Sequence, residues 1–181
     1  MIKKIFTTAI PLLLLLSILV LSGCTNTADD SNENALNFSF TTLDGETKQL
    51  NEYQGTILLI DFMGVNCPPC QQQMFELKKI SENYTRNQVN ILSINVWVSQ
   101  GETAQLTRDL IQAYKDQVNI VLDWDFGLDD TKGTIGNEYA PEGVPTLYLL
   151  DSKGNIYYTN VGYEPYTELK DTINELLDKE A

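Results

Sequence analysis

The rhythm of apolar and polar positions changes several times along the chain. Ile5 to Leu21 is apolar, broken only by Thr7, Thr8, Pro11 and Ser17, and residues 25–36 are polar and acidic with no period. From Phe38 an alternation sets in. Phe38 and Phe40 are separated by a polar residue, Asp44-Gly45 marks a turn, and Thr47 to Leu50 returns, which predicts a hairpin. Thr56–Phe62 is short and almost wholly apolar, as a strand buried on both faces should be. Met74, Leu77 and Ile80 then recur at helical spacing in a stretch that runs to about Tyr84. Val89–Val98 reads as a second strand, and Glu102–Lys115 as a helix with Leu106, Leu110, Ile111 and Tyr114 on one face. Asn119–Leu122 reads as a short strand, and Asp129–Tyr139 as a short helix despite Gly133 and Gly136. Val144–Leu150 and Ile156–Val161 flank a turn at residues 151–155, and Pro165–Lys179 closes as an amphipathic helix. Strands alternating with helices predict an α/β domain: a central mixed sheet flanked by helices, with an N-terminal hairpin and a central insert. No internal repeat is visible.

The first segment lies outside that domain. Lys3 and Lys4 precede the apolar run, and the small residues Ser22 and Gly23 follow it, the layout of a secretory signal. Leu21-Ser22-Gly23-Cys24 resembles a lipobox, which implies cleavage before Cys24 and lipid attachment to it. The alternative is an uncleaved signal anchor, since the run approaches the length that crosses a bilayer. The expected organisation is therefore a signal peptide over residues 1–23, a flexible tether over 24–36 and a domain over 37–181. Both alternatives place the domain outside the cytoplasm, and the lipoprotein reading places it on the outer face of the cytoplasmic membrane.

Charge and cysteine content narrow the function. With 12 basic and 25 acidic residues, a net charge of −13, the chain lacks the basic stripe that nucleic acid or an anionic membrane surface requires. It has three cysteines and no histidine. A closed zinc site cannot be assembled, and Ser-His and Cys-His catalysis are excluded. With Cys24 assigned to lipid, elimination leaves Cys67 and Cys70 as a redox pair with no metal and no separate cofactor.

Cys67-Pro68-Pro69-Cys70 falls between a buried strand and a helix. Two cysteines three apart at a helix start can close a small disulfide ring. The first thiol meets the positive end of the helix, where a thiolate is favoured, and the second is shielded in the first turn. This predicts Cys67 as nucleophile and Cys70 as resolving thiol. Pro68 suits the first helical position because its missing N–H would have no intrahelical partner there. Asp61 sits inside TILLIDF, where an ionised carboxylate is costly to bury, so it needs a partner, a task or a route to solvent. Trp97 and Trp124 are read as core more readily than as a substrate groove.

Ile60-Asp61-Phe62 followed by the CPPC motif resembles the active-site strand and turn of thioredoxins. The lipobox, the hairpin and the insert around residues 119–139 resemble the extracytoplasmic TlpA/ResA-type thiol–disulfide oxidoreductases. Gly143-Val144-Pro145-Thr146 and the strand after it resemble that family's cis-proline loop. The resemblance implies a thioredoxin fold over residues 36–179. It implies a cis bond before Pro145 that leaves Val144, and with it Pro145 and Thr146, to meet an extended substrate. It also implies that Asp61 relays a proton to or from Cys70. Two departures stand out: Gln73 occupies a position where the family usually has glutamate, and Met63-Gly64-Val65-Asn66 replaces a tryptophan-rich stretch.

The redox direction follows from the donors near Cys67. Pro68 and Pro69 offer no N–H and no histidine adds positive charge, so the thiolate is only modestly stabilised and the pair leans towards a reductant. The resemblance implies an electron donor of the CcdA/DsbD membrane type. It implies as substrates exported proteins that contain disulfides, such as apocytochrome c. The alternatives are an oxidase or isomerase of exported proteins, or a tethered peptide-binding module without redox activity.

Overall fold

The structure, a computed structural model, describes residues 35–181. The signal peptide, Cys24 and nearly all of the expected tether lie outside the described residues. Packing begins at once: Ala35 bridges Asn155 and Leu36 is buried, two residues before the expected start of the domain.

Seven strands form one sheet in the order β2-β1-β5-β4-β3-β6-β7. They are β1 (Ser39–Thr42), β2 (Thr47–Gln49), β3 (Ile57–Met63), β4 (Val89–Asn95), β5 (Asp125–Leu128), β6 (Thr146–Leu150) and β7 (Ile156–Val161). Four helices accompany them: α1 (Pro68–Asn83), α2 (Ala104–Val118), α3 (Thr134–Tyr139) and α4 (Tyr166–Glu180). β3, β4 and β5 run parallel, joined by crossovers through α1 and α2, while β6 and β7 turn antiparallel beyond β3. The hairpin β1–β2 joins the other edge through antiparallel pairing of β1 with β5.

The central strand shows why its sequence lacks alternation. Every residue of β3 is buried. Ile57, Leu59 and Met63 point into a core shared with α1, α2 and α4. Leu58, Ile60 and Phe62 point into a second core with Phe38, Phe40 and Ile135. Both faces are covered, so both need apolar side chains.

Three expectations change. The fifth strand is not Asn119–Leu122 but Asp125–Leu128. Asn119 instead caps α2 in the left-handed conformation (φ 54°), with its N–H bonded to the Tyr114 carbonyl. Leu122 is buried, which gave the stretch its strand-like look without a ladder. Val96–Val98 leaves β4 for a 3-10 turn at Trp97–Gln100, because the Trp97 N–H bonds the Asn95 side chain. The helix expected from Asp129 begins only at Thr134. Asp129 lies before it, its carboxyl accepting the N–H groups of Asp130, Ile135 and Gly136.

Gly127 tests this placement of β5. A Cβ there would lie 2.4 Å from the Phe40 ring and 2.6 Å from Ile94 Cδ1. Gly127→Val should therefore cost about 1–3 kcal/mol through overpacking, read as a lower urea midpoint with an unchanged slope. An unchanged midpoint would mean that Gly127 sits in an open loop and that the hairpin is joined elsewhere.

Candidate active site

The site forms where β3 ends and α1 begins. Cys67 caps α1 and Pro68 and Pro69 are its first two residues, so the chain turns from a buried strand into a helix across the motif. Cys67 and Cys70 form a closed disulfide with Cα atoms 5.2 Å apart. The Cys70 N–H donates to Cys67 Sγ at 3.2 Å. The two prolines before it have no N–H to add. Both cysteines are buried in this form, at 2% and 0% exposure, so they differ in backbone surroundings more than in access.

The Val144–Pro145 bond is cis, as the resemblance implied. The loop brings the Val144 carbonyl oxygen to 3.7 Å from Cys67 Sγ. Pro145 and Thr146 are buried, and the Thr146 hydroxyl donates to the Gly143 carbonyl at 2.6 Å, bracing the loop from within.

Asp61 does not reach solvent; its exposure is 0%. It lies between Leu59 and Met63 on one face of β3, and both of these pack in the core that holds Cys67 and Cys70. The Ser93 hydroxyl, opposite it on β4, donates to Oδ2 at 3.0 Å, and Trp124 Nε1 donates to the Ser93 oxygen at 3.0 Å. Oδ1 has no partner among the described residues. Burial pushes the carboxyl from its ordinary 3.8 up to about 7, and the Ser93 bond opposes the rise only in part. The Tyr114 hydroxyl is raised to about 12, by its own burial and then by the Asp61 charge. Asp61 can therefore take up or release a proton near neutral pH.

Residues outside the motif complete the site. Glu102 is buried before α2, and its carboxyl oxygens accept the Val65 N–H at 2.6 Å, the Asn66 N–H at 2.9 Å and Asn66 Nδ2 at 2.9 Å. It ties down the turn that leads into Cys67. In sequence it reads as the first residue of a helix with one apolar face, and only its acceptance of N–H groups 36 and 37 positions away reveals its task. Gly64 admits the Trp97 ring, which a Cβ would meet at 2.4 Å, so an aromatic from after β4 covers the strand end where the family has tryptophan-rich sequence. Trp97 is half-buried and Trp124 is core, as expected.

Gln73 is not a solvated helix residue. It is fully buried, its Nε2 donates to the Glu164 carbonyl at 3.1 Å, and its Oε1 accepts the Glu164 N–H at 2.8 Å. A charged glutamate could accept the second bond but not donate the first.

The closed disulfide at a strand–helix junction, the cis-proline loop beside it and the buried acid behind it describe a thiol–disulfide exchange centre. Comparison with known proteins agrees. The AhpC/TSA family matches over residues 32–159. The sporulation thiol-disulfide oxidoreductase A of Bacillus subtilis is 30% identical over 76% of this chain and 78% of its own. The thiol-disulfide oxidoreductase ResA of Halalkalibacterium halodurans is 26% identical over 73% of this chain and 69% of its own. Among solved structures, StoA from Bacillus subtilis superposes with a TM-score of 0.60 at 26% identity, covering 76% of this chain and 96% of its own. The DsbE interchange protein of Chlorobium tepidum superposes with a TM-score of 0.62 at 22% identity, over 80% and 95% of the two chains. The chain belongs to the AhpC/TSA family and is a thioredoxin-fold thiol–disulfide oxidoreductase whose redox pair is Cys67 and Cys70.

Proposed function

We propose that the enzyme works as a reductant of disulfides in exported proteins, held on the outer face of the cytoplasmic membrane by lipid on Cys24. The observation that carries the direction is the poverty of donors around Cys67. Its sulfur receives one backbone N–H, from Cys70. The turn before it is braced by an acid, Glu102, on residues 65 and 66. A strong oxidant needs its reduced form strongly stabilised, and this surrounding does little to stabilise a thiolate.

In the forward reaction the Cys67 thiolate attacks one sulfur of a substrate disulfide. A mixed disulfide forms, and the other substrate sulfur leaves and takes a proton. The substrate chain lies along the Val144–Thr146 loop, where the Val144 carbonyl stands beside Cys67 Sγ. Cys70 then gives its proton to Asp61 and attacks Cys67 Sγ. The Cys67–Cys70 disulfide closes and the second substrate sulfur departs, so two electrons pass to the substrate. A membrane dithiol donor of the CcdA/DsbD type would return them. Haem-attachment cysteines of oxidised apocytochrome c are a fitting substrate class, being exported thiols that must be reduced before use.

Two experiments separate the steps. In cells making the full chain, the Cys70→Ser variant should accumulate mixed disulfides with exported polypeptides in the membrane fraction, and Cys67→Ser should trap none. The wild-type pair should be found mainly as thiols. A pair found mainly oxidised would favour the oxidase or isomerase reading, and no trapped partner would favour a binding module.

Asp61→Asn should slow turnover by roughly 10- to 100-fold, with the loss in resolution by Cys70 and not in attack by Cys67. Stopped-flow reduction of a model disulfide across pH separates the two steps, and identical profiles for both proteins would remove Asp61 from the relay. The same variant has a stability signature. A carboxyl raised in the fold to about 7 from 3.8 favours the folded state fully below about pH 4, and that stability is lost as pH rises through 7. Urea unfolding of wild type should therefore weaken with pH across this window, by up to about 1.4 kcal/mol per pH unit, and Asp61→Asn should flatten the slope.

A further inference from the structure

A second buried acid sits in the turn that is tied both to the helix of Cys70 and to the loop beside Cys67, and it takes no part in the steps above. Glu164 lies in the turn between β7 and α4 and is 2% exposed. Its Oε1 accepts the Tyr158 hydroxyl at 2.7 Å, and its Oε2 is buried with no partner among the described residues. No cation pairs with it in any described salt bridge.

Its backbone is fixed on two sides. Gln73, one helical turn after Cys70 on α1, holds the Glu164 N–H and carbonyl with both ends of its amide. Two residues earlier, the Gly162 N–H donates to the Pro145 carbonyl at 2.8 Å. The turn therefore spans the helix that carries Cys70 and the loop that flanks Cys67. An acid buried on a surface turn without a cation costs stability, and the surrounding hydrogen bonds hold it there instead of letting it swing to water.

We propose that Glu164 is a proton-linked positioning residue of the redox centre, whose negative charge, when present, disfavours the thiolate of the reduced pair and so strengthens the enzyme as a reductant. Reducing the disulfide adds two electrons and two protons to Cys67 and Cys70, supplied by a donor dithiol that becomes a disulfide. When Cys67 releases its proton to form a thiolate, the pair gains a negative charge that a neutral disulfide lacks. An ionised Glu164 opposes that charge and a protonated Glu164 does not, so the balance between the two redox states changes with pH.

The groups that face the carboxyl leave it free to titrate. From β7 comes the Tyr158 hydroxyl and from α4 the like charge of Glu168, while the uncharged Gln73 amide of α1 is taken up by the Glu164 backbone. Glu76, also on α1, is occupied by Lys79 and the Tyr166 N–H. Burial raises the Glu164 pKa and the Tyr158 bond opposes the rise. This inference rests on the reductase reading for its direction and extends it to a residue that sets how strongly the enzyme reduces.

The test is the redox equilibrium of the full-length protein with glutathione from about pH 5 to 9, read by thiol alkylation for wild type and Glu164→Gln. The glutamine keeps an acceptor for Tyr158 and loses only the charge. At low pH the two proteins should have equal constants. As pH rises, Glu164→Gln should shift towards the reduced form by about threefold or more, as expected for a charge removed from a buried site. A difference absent at every pH, with the fold retained, overturns the proposal. Should Glu164→Gln fail to fold, Tyr158→Phe serves. It removes the bond that favours the charged carboxyl, so the inflection in the wild-type curve should move to higher pH, and an unmoved inflection also overturns the proposal. The absolute constant of wild type tests the reductase reading separately, because the Glu164 effect is a difference between two proteins.

Discussion

One hydrogen bond organises the chemistry of this protein. At the first turn of α1 the Cys70 N–H points at Cys67 Sγ, and the two residues between them have no N–H to offer. A helix N-terminus ordinarily presents several unpaired donors, and an anion there is stabilised by all of them together. Here the prolines reduce that set, leaving a thiolate favoured over an ordinary cysteine but not strongly held. The nucleophile is made reactive without being made a good leaving group.

The rest of the fold keeps that geometry. β3, buried on both faces, fixes where α1 starts. Glu102 draws together the backbone of Val65 and Asn66, just before the nucleophile. Asp61 lies beneath, in the core shared with both cysteines, and Gln73 clamps the turn that carries Glu164. Asp61, Glu102 and Glu164 are all buried, and the chain has no histidine to offset them. On the proposed reading their charges oppose the thiolate and favour a pair that gives electrons away. The burial of Asp61 also supplies a carboxyl that exchanges protons near neutral pH.

Much of this was legible in the sequence, for physical reasons that can be named. The apolar run TILLIDF announced a doubly covered strand, and the acid within it stood out as a group that needs a partner, a task or a route to solvent. The CPPC spacing at a strand–helix junction announced the redox pair, and the resemblance of Gly143-Val144-Pro145-Thr146 to a cis-proline loop implied the loop beside it. Glu102, Gln73 and Glu164 could not be read in this way. Their roles depend on contacts with residues 36 to 91 positions away, and in sequence each is a polar residue on or near a helix. The fifth strand was misplaced because burial without a ladder looks like a strand in sequence. Leu122 is buried, while the ladder belongs to residues 125–128, which include an aspartate and a glycine.

The most direct test is the acidity of Cys67 in the reduced protein, measured as the pH dependence of its alkylation rate with Cys70 followed in parallel. One N–H donor and the helix dipole predict a thiol only modestly more acidic than a free cysteine, whose pKa is about 8.5, and a Cys70 that reacts far more slowly. A Cys67 pKa near about 4, in the range of strongly oxidising pairs, would contradict the account, as would equal rates for the two thiols.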